Sequence, residues 1–167
     1  MKPTKAKYKL IKIPDGRAGI RATLKIMSKI VNRYKTSPYI RELAISIIQD
    51  VPQKDWHGQI EAIFRYVRDN INYVHDVRGV ETLQSPVKTL ELRRGDCDDQ
   101  SVLAASLLEA IRHPTRFVAV GYAPNTLSHV FAQTKLGAKW ITLDCIMETW
   151  PLGKTTPGIR DKMIQHN

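Results

Sequence analysis

The run from Val102 to Ile111 constrains the fold most, because apolar residues at 102–105, 107, 108, 110 and 111 surround almost the whole circumference of a helix. Such a helix must be covered on several sides, and its alanines let neighbouring elements approach closely. It is therefore central. Immediately before it, Arg93-Arg94-Gly95-Asp96-Cys97-Asp98-Asp99-Gln100 reads as a polar turn that opens the helix. Asp96 is a favourable N-cap, Asp99 three positions on can complete a capping box, and Gly95 permits a sharp turn. Cys97 then falls in the first helical turn, where free backbone N–H groups and the positive end of the helix dipole favour a thiolate or an oxyanion. The neighbouring aspartates act in the opposite sense, so a reactive Cys97 needs a cationic partner from elsewhere in the chain.

Upstream, Ile20, Leu24, Met27, Val31 and Tyr34 recur at spacings of four and three, which predicts an amphipathic helix over 17–34. Arg21, Lys25, Lys29 and Arg33 lie on its other faces. Ser37 and Pro38 mark the start of a second helix that buries Ile40, Leu43, Ile47 and Ile48, and Pro52 stops it. A third begins near Asp55 and carries Ile60, Ile63, Phe64, Val67 and Ile71. Residues 73–76 and 79–86 read as a long loop with a short extended piece, bent at Ser85-Pro86, and long loops in small domains often belong to sites. After Pro114 come three extended runs, 116–121, 129–135 and 139–145. Helices followed by strands define an α+β class, with the N-terminal helices and the central helix packed on an antiparallel sheet.

With 167 residues, 43% of them hydrophobic, the chain can build one sizeable core. The expected organisation is a basic arm over 1–16 and a single domain over 17–167, with a helical part at 17–72 and the chemical core at 93–145. No apolar run approaches the roughly 20 residues of a membrane span, and the basic N-terminus has no apolar leader segment, so a cytoplasmic location is expected. Cys97 and Cys145 make no disulfide framework and are expected to be reduced there. The net charge of +10 is unevenly placed: residues 1–41 hold twelve Lys/Arg against Asp15 alone, and the remainder is close to neutral. This asymmetry suits either a solvated basic helix or an anionic neighbour such as nucleic acid, an acidic protein surface or lipid headgroups.

The last two strands, joined at Leu136-Gly137, suggest a hairpin. Centring its turn between those residues sets His129 opposite Asp144, Phe131 opposite Thr142 and Gln133 opposite Trp140. A carboxylate across from a histidine fixes its tautomer and leaves the other ring nitrogen for a nucleophile. Cys97 is the available nucleophile, and an imidazolium is the cation it lacks. In this arrangement the thiolate attacks a carbonyl, and His129 protonates the leaving group. Zinc held by Cys97, His129 and Asp144 is a further reading, but paired ligand spacings are missing from the sequence. Asp96, Asp98 and Asp99 fan around the helix as cap and solvated face.

Arg94-Gly95-Asp96-Cys97-Asp98-Asp99, the apolar helix after it, His129-Val130-Phe131 and Trp140-Ile141-Thr142-Leu143-Asp144 together resemble the core of the transglutaminase-like superfamily. Its pattern is Gly-x-Cys at a helix start, then His-Val-Trp/Phe, then Trp-x-x-Leu-Asp. The likeness is specific over 93–145; Tyr73, Glu81 and Ser85-Pro86 are similar to the bacterial and phage branch, and residues 1–50 match loosely. The resemblance implies a papain-like fold with Cys97 as nucleophile, His129 as base and Asp144 as orienting acid. It implies protein or peptide substrates, a thioester acyl-enzyme and no cofactor. Members include transamidases, peptidases and amidases, and some have lost the triad. The small size of this chain favours hydrolysis, in a bacterial or phage-infected cell or in a virion. Cys145 stands where Pro commonly follows the aspartate. The Cys97 N–H is the natural first oxyanion donor, with Gln84 as a candidate second; Tyr73, Trp140 and Trp150 are candidates for an acyl pocket or for the core. The competing expectation is a non-catalytic structural or binding module of a phage particle or nucleoprotein assembly, using its basic N-terminal surface.

Overall fold

The computed structural model describes residues 9–76 and 82–167. Positions 2–8 of the basic arm, Gly79 and Glu81 lie outside the described residues. Helix α1 (Gly16–Tyr34) buries Leu24, Met27 and Val31, and leaves Arg21, Lys25, Lys29 and Arg33 exposed, as the spacing predicts. Helix α2 (Pro38–Ile47) starts with Pro38 after Ser37 and buries Ile40 and Ala44. In α3 (Trp56–Asn70) the Asp55 carboxylate caps the first turn, accepting the Gly58 N–H at 2.9 Å, and Ile60, Ile63, Phe64 and Val67 face the core. These three helices pack on α5 (Cys97–Ala110), whose residues from Asp98 to Leu108 are all buried. The near-uniform apolarity of α5 is explained by that enclosure, with helices on one side and the sheet on the other.

The sheet contains β3 (Thr115–Gly121), β4 (His129–Leu136), β5 (Lys139–Leu143) and β6 (Asp161–His166) in the order β5-β4-β3-β6, antiparallel throughout. Phe117, Ala119, Val130 and Ala132 belong to the main core with α5. Alternation sends Val118, Val120 and Phe131 to the other face, where they form a small cluster with Ile159. Strand β6 was not expected from the sequence: only Met163 of its six residues is buried, so an edge strand here carries little hydrophobic signal.

Two further elements correct the reading of the loop before Cys97. Ser85-Pro86 is not a bend but the start of a helix, α4 (Pro86–Leu92), with Pro86 at its first position and the Ser85 hydroxyl accepting the Lys88 N–H at 3.2 Å. Seven residues make two turns, too few for helical periodicity to show. Short strands β1 (Asn72–Tyr73) and β2 (Arg94–Gly95) pair in parallel and tie the chain after α3 to the residues just before Cys97.

The hairpin register also differs from expectation. Leu136 pairs with Lys139 around a Gly137-Ala138 turn, Gln133 faces Thr142 and Lys135 faces Trp140. The turn is centred one residue later than expected, so partners slide by two. A slide of two preserves the face on which each side chain points, whereas a slide of one would invert it. Gly137 sits at φ +60°, which suits glycine in a two-residue turn.

Candidate active site

The start of α5 is held by a reciprocal cap. Asp96 Oδ1 accepts the N–H groups of Asp98 at 3.0 Å and Asp99 at 3.1 Å, and Asp99 Oδ2 accepts the Asp96 N–H at 3.4 Å. Asp99 Oδ1 accepts the Gln84 N–H at 2.7 Å, which fastens the upstream loop to the same turn. Gly95 is required by crowding, since a Cβ there would lie 2.6 Å from the Asp99 Cβ. Asp98 and Asp99 are therefore not a solvated face: they are 9% and 1% exposed. A capping box turns its third residue back onto the chain, which is what buries Asp99.

Burial pushes the Asp99 carboxyl up to about 7, against the pull of the Gln84 and Asp96 N–H groups. Its ordinary value is near 3.8, so between these values the folded chain holds a proton that the unfolded chain has released. The stabilising contribution of this proton is complete below about pH 4 and is lost as pH rises through 7. Urea titrations at pH 4.5 and 7.5 should thus show a smaller loss of stability at the higher pH in Asp99→Asn than in the wild type.

Cys97 is half-buried, with its Sγ 3.5 Å from Asp98 Oδ1. Burial, then the Asp98 charge, holds the thiol well above its ordinary range, while the Val130 N–H draws it the other way. The sulfur lies beside the start of β4. There His129 Nε2 lies 2.9 Å from Asp144 Oδ2, with the two side chains only 11% and 2% exposed. The observed register makes this a diagonal contact rather than a directly opposed pair. The bond occupies Nε2 and leaves Nδ1 for another partner. The His129 ring packs 5.9 Å from Phe131, its neighbour on the same face.

Cys97 and His129 line one cleft of about 800 Å³. Tyr73 lines it too, with its hydroxyl 3.2 Å from His75 Nδ1. Burial, followed by the charges around Cys97 and Asp96, pushes this phenol up to about 12, so it stays a hydrogen-bond donor in the cleft. The other sequence candidates lie elsewhere. Trp140 stacks under the Arg116 guanidinium at 4.1 Å and meets the His166 ring at 5.5 Å. Trp150 lies beneath the Lys154 ammonium, and neither tryptophan lines the cleft. Gln84 also does not line it; its Oε1 is buried with no hydrogen-bond partner among the described residues. Cys145 is a buried free thiol, and burial, then the Asp144 charge, pushes it up as well. Among the described residues no three His, Cys, Asp or Glu side chains are grouped to hold a metal ion, and no helix is long and apolar enough to cross a membrane. Sequence reasoning missed the segment Leu10-Ile11-Lys12-Ile13, whose isoleucines and leucine border the cleft. Its only signal was apolar residues within a basic arm.

A family model for the transglutaminase-like superfamily matches residues 41–145. The chain belongs to that superfamily. Comparison with curated proteins gives no match. Among solved structures, a provisionally assigned cysteine protease from Cytophaga hutchinsonii is similar at 19% identity and a TM-score of 0.57, over 85% of this chain and 52% of that one. A provisionally assigned protease from Parabacteroides distasonis is similar at 13% identity and 0.61, over 87% and 32%. LapG of Legionella pneumophila is similar at 17% identity and 0.55, over 80% of each chain. The chain thus spans about half of the first protein and a third of the second. At these identities the shared property is the fold, an α+β transglutaminase-like core also found in one protein described as a cysteine protease and another described as a protease.

Proposed function

We propose that the chain is a cysteine hydrolase or acyltransferase acting on peptide or isopeptide amides, with residues 93–145 as its catalytic core. The observation that carries this reading is the His129–Asp144 bond at 2.9 Å beside a cleft that His129 shares with a cysteine at a helix N-terminus. Asp144 fixes the ring through Nε2 and leaves Nδ1 to take the nucleophile's proton. The Cys97 S–H proton passes to Nδ1 as sulfur bonds to the substrate carbonyl carbon. The charge that develops on the carbonyl oxygen is met by the Cys97 N–H, which has no intrahelical partner in the first turn. The C–N bond then breaks, the proton on His129 goes to the departing amine, and a thioester remains. Water attacking the thioester completes a hydrolysis; an amine completes a transamidation.

Acylation by p-nitrophenyl acetate tests this directly. Wild-type protein should release nitrophenolate and show, by intact mass spectrometry, one acetyl group on Cys97 that hydroxylamine removes. Cys97→Ala should show neither. Equal nitrophenolate release by both proteins, without a thioester, would overturn the reading.

A further inference from the structure

We infer that the cleft carries an aliphatic subsite, formed by the segment 10–13 together with α1, which receives an aliphatic side chain on the acyl side of the amide that is cleaved. This deepens the proposed function and rests on it. Leu10 is 89% exposed and Ile11 50%, although both border the cleft that contains Cys97 and His129. Ile13 and Ile20 continue the same lining, and Leu24 and Met27 of α1 close it from the core side. Tyr73, His75 and the start of α5 supply polar groups to the same cleft. The cleft is therefore two-sided in chemistry, with hydrogen-bonding groups from one part of the chain and hydrocarbon from another.

Apolar side chains left in water beside a site gain most from a ligand that covers them. The hydrocarbon and the sulfur border one cavity, so a side chain next to the reacting carbonyl can cover Leu10 and Ile11. Its volume of about 800 Å³ holds several residues of an extended peptide, within the usual range for ligand clefts. A leucine or valine side chain near the carbonyl satisfies the hydrocarbon wall, while its backbone amides meet the polar one. A polar isostere of leucine leaves an amide unpaired against that wall.

Peptidyl acyloxymethyl ketones carrying leucine or asparagine at either of the two residues before the ketone measure the selection without requiring turnover. The leucyl reagent should inactivate the wild-type chain roughly ten-fold or more faster at one of these positions. In the Leu10→Asn/Ile11→Asn variant that preference should fall to about three-fold or less. Both side chains are largely in water, so the fold is retained; alkylation of Cys97 by iodoacetamide should be unchanged. Leu10→Ala/Ile11→Ala should fall between. A wild-type ratio near one, or a ratio that survives the asparagine pair, overturns the subsite. Faster inactivation of the variant by every reagent also overturns it, since the segment would then obstruct the cleft. Loss of p-nitrophenyl acetate acylation would instead remove the proposed function, so the two failures are distinguishable.

Discussion

Replacing His129 with alanine should slow acylation of Cys97 by p-nitrophenyl acetate by roughly 10²- to 10⁴-fold, the usual contribution of a positioned general base. The expectation follows from the state of the sulfur. Burial and the Asp98 charge keep the Cys97 thiol protonated well above the ordinary thiol range, so few thiolates exist in advance near neutral pH. The proton must leave during the reaction, and of the two histidines that line the cleft, His75 and His129, it is His129 that a buried carboxylate holds. In His129→Ala the residual rate should therefore keep rising with pH beyond the ordinary thiol range, because hydroxide must then prepare most of the nucleophile. Asp144→Asn should fall by a comparable factor. Asp144 is 3% exposed and its Oδ2 bonds the ring, so an amide there can donate to Nε2 and place the proton on Nδ1, the wrong tautomer for accepting one from sulfur. Unchanged acylation in both variants would separate the observed bond from the chemistry.

Much of this site was legible because its parts are local. The N-cap, the capping box and the central helix are written in adjacent residues, and each is found where the spacing places it. The His129–Asp144 contact was anticipated from an incorrect register. It survives because the slide of two residues keeps both side chains on one face and within diagonal reach. The elements that escaped are those with little periodicity of their own: α4 with seven residues, and β6 with one buried side chain. The apolar border of the cleft escaped for a different reason. Leu10 and Ile11 acquire a role only when the chain before α1 is laid beside residues more than eighty positions away, and no local pattern encodes that juxtaposition.

The loop that delivers His129 leads to the second large effect. Gly121 ends β3, and an added Cβ would lie 1.4 Å from the Thr126 carbonyl oxygen and 2.5 Å from its carbon. These are backbone atoms, so no rotamer change can relieve the overlap. The residues between β3 and β4 are also fixed from both ends, by the Ser128 N–H on the Val120 carbonyl at 2.9 Å and by the Arg160 backbone N–H on the Gly121 carbonyl at 2.8 Å. Gly121→Ala must therefore displace the loop, and with it the start of β4 that carries His129. A loss of about 2–4 kcal/mol in urea unfolding is expected, of the size that overpacking reaches when the surroundings cannot yield. Acylation of Cys97 should fall in the fraction that remains folded, because the imidazole shifts relative to the sulfur. Gly137→Ala provides the contrast. Its φ of +60° costs an L-residue about 1 kcal/mol, but nothing lies within 4 Å of the added Cβ and the turn is at the far end of the hairpin from His129. That variant should lose a little stability and keep its acylation rate. If Gly121→Ala did the same, the close approach at Thr126 would not be what positions the imidazole.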